Sequence, residues 1–225
     1  MEQLLKREAK AKRVYHAFLI FYCLFNGALL CVYAARREAY YFSVSLGTFA
    51  IPLAMALVWR LPFFRHVWQI DCLILGFAFI AYPLGSCLDL YLLLPGFDKV
   101  AHALSGAFVS LLALILYFAL KPEHKIERRD AALAIVFMCF ASMSVAGLWE
   151  IGEYLISGAM GRDLQRVAET GVADSMQDMI VCALGTIATI PVAYRLCAGK
   201  AGVLSTAVRD AVAINFSFPR AVETK

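Results

Sequence analysis

The sequence predicts an all-α protein, an integral membrane bundle of six transmembrane helices. Its composition is the first reason: of 225 residues 62% are apolar, and only 17% are Asp, Glu, Lys or Arg. A typical soluble domain has about 25% charged residues. So few charges would leave most of a small soluble domain's surface apolar. The composition therefore excludes a soluble enzyme and a nucleic-acid-binding domain, and membrane lipids must form part of the solvent.

The second reason is the length of the apolar runs. Six runs of about 20 residues can each cross the ~30 Å hydrocarbon core of a bilayer. They cover residues 15–35, 40–59, 67–87, 99–120, 131–152 and 176–196. The links are short and no repeat or shift in composition marks a second domain, so we expect one transmembrane domain over residues 15–198. Residues 1–14 then form a basic cytoplasmic N-terminus, and residues 199–225 form a cytoplasmic C-terminal tail.

The basic residues predict the orientation. With the N-terminus inside, sixteen of the 21 Lys and Arg residues lie on the cytoplasmic side, and the five outside are Arg36, Arg37, Lys99, Arg162 and Arg166. Because basic segments stay in the cytoplasm, we expect a multi-pass protein of the cell (inner) membrane with both termini cytoplasmic. The preference for basic cytoplasmic segments also explains the net charge of +4 more simply than an anionic partner would.

Ionisable side chains gather at the predicted outer ends of the fourth, fifth and sixth spans. Within each span they are three or four residues apart, which places them on one helix face. The set comprises Asp98, His102, Glu150, Glu153, Asp174 and Asp178, and Asp89 ends the third span on the same side. Because these residues converge on one membrane face, we expect a functional pocket at the outer leaflet.

Five carboxylates repel one another, and charges at membrane depth are costly unless they are paired, hydrated or bound to a cation. A metal ion, shared protons, or Arg162 and Arg166 could each compensate them. A mixed carboxylate–imidazole set suits Zn, Mn or Fe, whereas all-oxygen sites suit Mg or Ca. We therefore take a divalent metal ion as the candidate cofactor, with the candidate ligands Asp98, His102, Glu150, Asp174 and Asp178.

Three functions remain open at this point. In the first, the pocket binds a metal and acts on a lipid or lipid-linked envelope substrate, with Glu153 as the candidate catalytic base. In the second, the protein is a small cation or proton-coupled transporter, which requires a polar route inward, and Asp71 lies far from the outer cluster. In the third, it is a non-enzymatic envelope factor whose cluster forms internal salt bridges.

Seven cysteines are spread along the chain without a CxxC pair, and nearly all lie within apolar runs. A zinc knuckle or a thiol relay needs close pairs outside the lipid. We interpret the cysteines as small hydrophobic residues.

Three short motifs carry a resemblance to known families. FDKVAH at 97–102, WEIGE at 149–153 and DSMQDMIVCALG at 174–185 resemble VanZ-like membrane proteins. The long outer loop between the fifth and sixth spans and the sequence Gln177-Asp178-Met179 are closer to the YjdF-like inner-membrane family. Glu153 and Cys182 stand where the VanZ-like pattern has Gln and Asn. The resemblance implies a small multi-span protein of the cell envelope, and VanZ-like proteins are associated with resistance to glycopeptide antibiotics.

Overall fold

In a computed structural model of the protein, the structure is described for residues 1–61, 65–161, 163–165 and 167–217. These residues form helices and connecting turns, with no strand among them. Within this part of the chain, six helices are long and apolar enough to cross a membrane. The predicted fold class is confirmed.

The α-helices follow one another in the order of the predicted spans, with short helices between them. They are α1 Glu2–Arg36, α2 Ala39–Gly47, α3 Ala50–Val58, α4 Trp68–Phe79, α5 Leu90–Leu93, α6 Phe97–Leu120, α7 Ala131–Met160, α8 Val167–Thr170, α9 Ala173–Cys197 and α10 Val203–Val212. A 3₁₀ turn, Arg128–Asp130, precedes α7, and π-helical turns extend α4 over Ile80–Cys87 and α10 over Ala213–Ser217.

The helix ends differ from the ends of the apolar runs. Helix α1 begins at Glu2, within the basic segment, because that segment is rich in Ala, Leu, Lys, Arg and Glu, which favour helix. Helix α7 continues to Met160 and α9 begins at Ala173, both beyond the apolar runs. Hydropathy marks where lipid contact ends, whereas a helix can continue into the polar interface.

Two of the spans are irregular. The second is divided into α2 and α3 by a turn at Thr48 and Phe49. The third changes from α4 to a π-helix that contains Pro83. Proline has no N–H to donate and its ring displaces the carbonyl of the preceding turn, so a change of helix type at this position has a local cause.

The chain divides into two compact units, one of Met1–Phe97 with Asp210–Lys225 and the other of Asp98–Arg209. In the first unit, Arg7 donates two hydrogen bonds of 2.7 Å to Asp210. Gln69 donates to Asp210 at 2.8 Å and to Glu8 at 2.9 Å. Glu8 in turn accepts from the backbone N–H of Trp68, at the start of α4. These contacts join α1 and α4 to Asp210, near the C-terminal end of α10, within this unit.

In the second unit, α6 and α9 lie in direct backbone contact. A Cβ atom on Gly106 would overlap the carbonyl group of Cys182, and one on Gly185 would overlap the carbonyl group of Ala103. Small residues allow transmembrane helices to approach this closely. The two glycines therefore determine how α6 and α9 pack.

Hydroxyl groups join α7 to the same contact. Ser142 donates to the Gly106 carbonyl oxygen at 3.2 Å, and Thr186 donates to the Ser142 hydroxyl at 2.7 Å. All three positions are interior, and Ser142 and Thr186 are both buried. Gly106, Ser142 and Thr186 thus fix the register of α6, α7 and α9 relative to one another.

Candidate functional site

The contact between Gly106, Ser142 and Thr186 explains why ionisable residues from three helices meet. On each helix, one carboxylate residue lies eight residues from its member of this contact: Asp98 on α6, Glu150 on α7 and Asp178 on α9. At 1.5 Å per residue, this is about 12 Å along each helix. Since consecutive spans run in opposite directions, the three carboxylates reach the same level of the second unit.

Lys99 is the centre of the ionisable cluster. Its Nζ donates to Asp174 Oδ1 and to Asp178 Oδ1, both at 2.7 Å, and to Asp98 Oδ2 at 3.3 Å. Asp174 and Asp178 are both buried, and acidic residues at a helix N-terminus are favoured by the helix dipole. One ammonium group therefore compensates three carboxylates at the start of α6 and α9.

His102 lies one turn further along α6, in contact with two of the same carboxylates. Its Nε2 is 3.3 Å from Asp98 Oδ1 and 3.8 Å from Asp178 Oδ1. One ligand atom from each of Asp98, His102 and Asp178 lies within 4.8 Å of the other two. Among the described residues, this is the one group of three such side chains close enough to bind a single metal ion.

Cys182 contacts the other side of the imidazole. Its Sγ is 3.9 Å from His102 Nδ1 and donates a hydrogen bond to the His102 carbonyl oxygen at 3.1 Å. The residue is buried, as expected for a small hydrophobic residue. The structure adds that its thiol lies beside the candidate site, which cysteine spacing alone does not indicate.

Glu150 and Glu153 have partners of their own. Gln165, in the loop after α7, donates from Nε2 to Glu150 Oε2 at 3.1 Å and to the Glu150 carbonyl oxygen at 3.0 Å. Trp149 Nε1 donates to Glu153 Oε1 at 2.8 Å. Glu150 is buried and Glu153 is half-buried. Neither belongs to the group of Asp98, His102 and Asp178.

Some of the predicted site residues meet and others do not. Four of them lie together around Lys99, namely Asp98, His102, Asp174 and Asp178. Asp89 belongs to the first unit, where Tyr41 donates to its carboxylate. Arg162 and Arg166, which are one of the three alternatives for compensating the carboxylates, lie outside the described residues.

Sequence patterns alone do not identify Lys99 as the ion-pair partner of the carboxylates. The asymmetry of basic residues places it on the outside, and it is the only lysine within a predicted span and directly follows Asp98. A lysine at membrane depth requires a partner. Applied to Lys99, that requirement predicts an acidic partner but does not identify which carboxylate it is.

A family model described as a predicted membrane protein (DUF2238) matches residues 16–199. The match covers most of the chain, including α6, α7, α9 and the whole ionisable cluster. The chain belongs to the DUF2238 family. No curated protein matches it, and no solved structure does. The family assignment and the six long apolar helices together establish a multi-pass membrane protein, and its activity must be argued from the site.

Proposed function

We propose that this DUF2238 protein binds one divalent metal ion through Asp98, His102 and Asp178 at the outer leaflet. The site then acts on a lipid or lipid-linked envelope substrate. The observation that supports this proposal is the approach of the three ligand atoms to within 4.8 Å of one another. Ligands about 2.0–2.2 Å from a zinc ion are at most ~4.4 Å apart, so only a small adjustment is needed.

The donor set favours Zn, Mn or Fe, because it joins an imidazole to carboxylates. Asp174 and Glu150 remain outside the close group, and we propose that they act through Lys99 and Gln165 respectively. Glu153 is the proposed general base. It lies on the same helix as Glu150, three residues further along, and its single partner among the hydrogen bonds of the described residues is Trp149.

The family assignment and the motifs together support two further proposals. The protein is a YjdF-like protein of the inner membrane, and it is more distantly related to VanZ-like proteins. Both termini are cytoplasmic, which places the N-terminal ends of α6 and α9 at the outer leaflet. A site at this depth is open to lipid headgroups, and this position favours a lipid or lipid-linked substrate.

Lys99 gives a specific reason to consider a second function. Its contacts at 2.7 Å with Asp174 and Asp178 are the internal salt bridges expected of a non-enzymatic envelope factor. In that case the cluster stabilises the second unit and binds no metal. Metal content distinguishes the two functions.

Four forms of the full chain, purified without metal-chelating resin, test the proposal. The wild type should contain about one metal ion per chain by elemental analysis, and Asp178→Asn should lose it because a ligand is removed. Glu153→Gln should keep the metal but fail to complement the envelope phenotype of the deletion strain. Asp163→Asn is the control, because Asp163 accepts hydrogen bonds only from the N-terminus of α8 among the described contacts.

Each variant can contradict part of the proposal. Wild-type protein without metal, together with lower stability of Asp178→Asn in detergent, would favour the structural function, because that variant breaks the salt bridge to Lys99. Full complementation by Glu153→Gln would exclude that residue as the base, while leaving the metal site in place.

The orientation has its own test. On a background without the seven native cysteines, a cysteine at Asp163 should react with an impermeant thiol reagent in intact cells, and one at Lys125 should not. The expected contrast follows from the asymmetry of basic residues. Labelling at position 125 alone would show that the orientation is the opposite one, with the site at the inner leaflet.

A further inference from the structure

We propose that Lys99 is a tethered cation that occupies the site when no metal is bound and that competes with the ion for the same carboxylates. This inference rests on the proposed function, since it concerns how the metal gains access to its ligands. It gives a role to Lys99 and Asp174, which are not among the three close ligands Asp98, His102 and Asp178.

The competition follows from shared atoms. Asp178 Oδ1 accepts from Lys99 Nζ at 2.7 Å, and the same oxygen is 3.8 Å from His102 Nε2. The two oxygens of Asp98 are divided in the same way, with Oδ2 towards Lys99 and Oδ1 towards His102. An ion held by Asp98, His102 and Asp178 would therefore lie beside the ammonium group. Two cations this close repel each other strongly in a poorly hydrated site, so Lys99 must withdraw as the ion binds.

Asp174 provides the position to which Lys99 can withdraw. It lies one turn closer to the start of α9 than Asp178 and is already 2.7 Å from Lys99 Nζ. Lys99 is the third residue of α6 and its side chain is 25% exposed. A long lysine side chain near a helix end can direct its charge towards the interface. The ammonium can thus leave Asp178 and Asp98 while it keeps one carboxylate partner.

Metal affinity of Lys99 variants tests this competition. Mn²⁺ and Zn²⁺ are titrated into the detergent-solubilised full chain after removal of bound metal. Lys99→Met removes the competing charge and should tighten metal binding by about tenfold or more. Lys99→Arg keeps a cation and is the matched control, with an affinity close to that of the wild type. Lys99→Met/Asp178→Asn should bind poorly, because a ligand is missing.

The outcomes separate this inference from the proposed function. Equal affinity of the wild type and Lys99→Met would overturn the competition and leave the metal site intact. Absence of binding in both would overturn the metal site and the competition together. If Lys99→Met does not fold, Lys99→Met/Asp174→Asn carries the same comparison against Asp174→Asn, since it removes one of the carboxylates left without a partner.

Discussion

Replacing Lys99 with Met should lower the free energy of unfolding by about 3 kcal/mol when a chelator keeps metal away. Loss of one partner of a buried ion pair typically costs 3–5 kcal/mol, because the remaining charge has no compensation. We expect the lower end of that range, since the Lys99 side chain is 25% exposed. Thermal or denaturant unfolding of the purified protein in detergent measures the loss.

Lys6→Met is the matched control for this prediction. Lys6 pairs with Glu2 at 2.6 Å, but their side chains are 74% and 80% exposed. Exposed pairs contribute at most about 1 kcal/mol, so this variant should unfold almost as the wild type does. If Lys99→Met were as stable as the wild type in the presence of the chelator, Lys99 would not be the cation that compensates Asp174 and Asp178.

Gly106→Ala and Gly185→Ala should each lower the stability of the second unit by about 1–3 kcal/mol, the range for overpacked interiors. The added methyl group would overlap a backbone carbonyl on the opposite helix, and backbone can yield only if α6 and α9 separate. We also expect weaker metal binding, because the same separation moves Asp98 and His102 away from Asp178. Unfolding and metal titration of the two variants measure both effects.

Gly147→Ala on α7 is the control for the glycine variants. No heavy atom lies within 4 Å of the position that its Cβ would take. Alanine favours helix over glycine by up to about 1 kcal/mol, so this variant should be as stable as the wild type or more stable. A loss equal to that of Gly185→Ala would mean that the close approach of α6 and α9 is not the cause.

The number of long helices could be predicted from the sequence because lipid solubility depends on local composition. Apolar runs such as 99–120 are visible without any knowledge of packing. Hydropathy does not show the turn at Thr48 and Phe49. The sequence marks it by Gly47 and Pro52 instead, because proline has no N–H to donate to the Thr48 carbonyl. The apolar run ends at residue 152 although α7 continues to Met160, because hydropathy falls before the helix ends.

The candidate site could be predicted only in part, for a related reason. Spacing places Asp174 and Asp178 on one face of α9, and Asp98 with His102 on one face of α6. Which carboxylate meets which cation depends on helix rotation and register, and these follow from the contact of Gly106 with Ser142 and α9. Hydropathy contains no information about that contact, so the Lys99 ion pairs required the structure.

X-ray absorption at the edge of the metal bound by the purified protein tests the metal site most directly. For zinc, we expect only nitrogen and oxygen neighbours at about 2.0–2.2 Å, including one imidazole that is lost in His102→Ala. A sulfur neighbour at about 2.3 Å would place the ion on the Cys182 side of the imidazole and contradict the proposed ligands. A protein that takes up no metal at all would contradict the metal site itself.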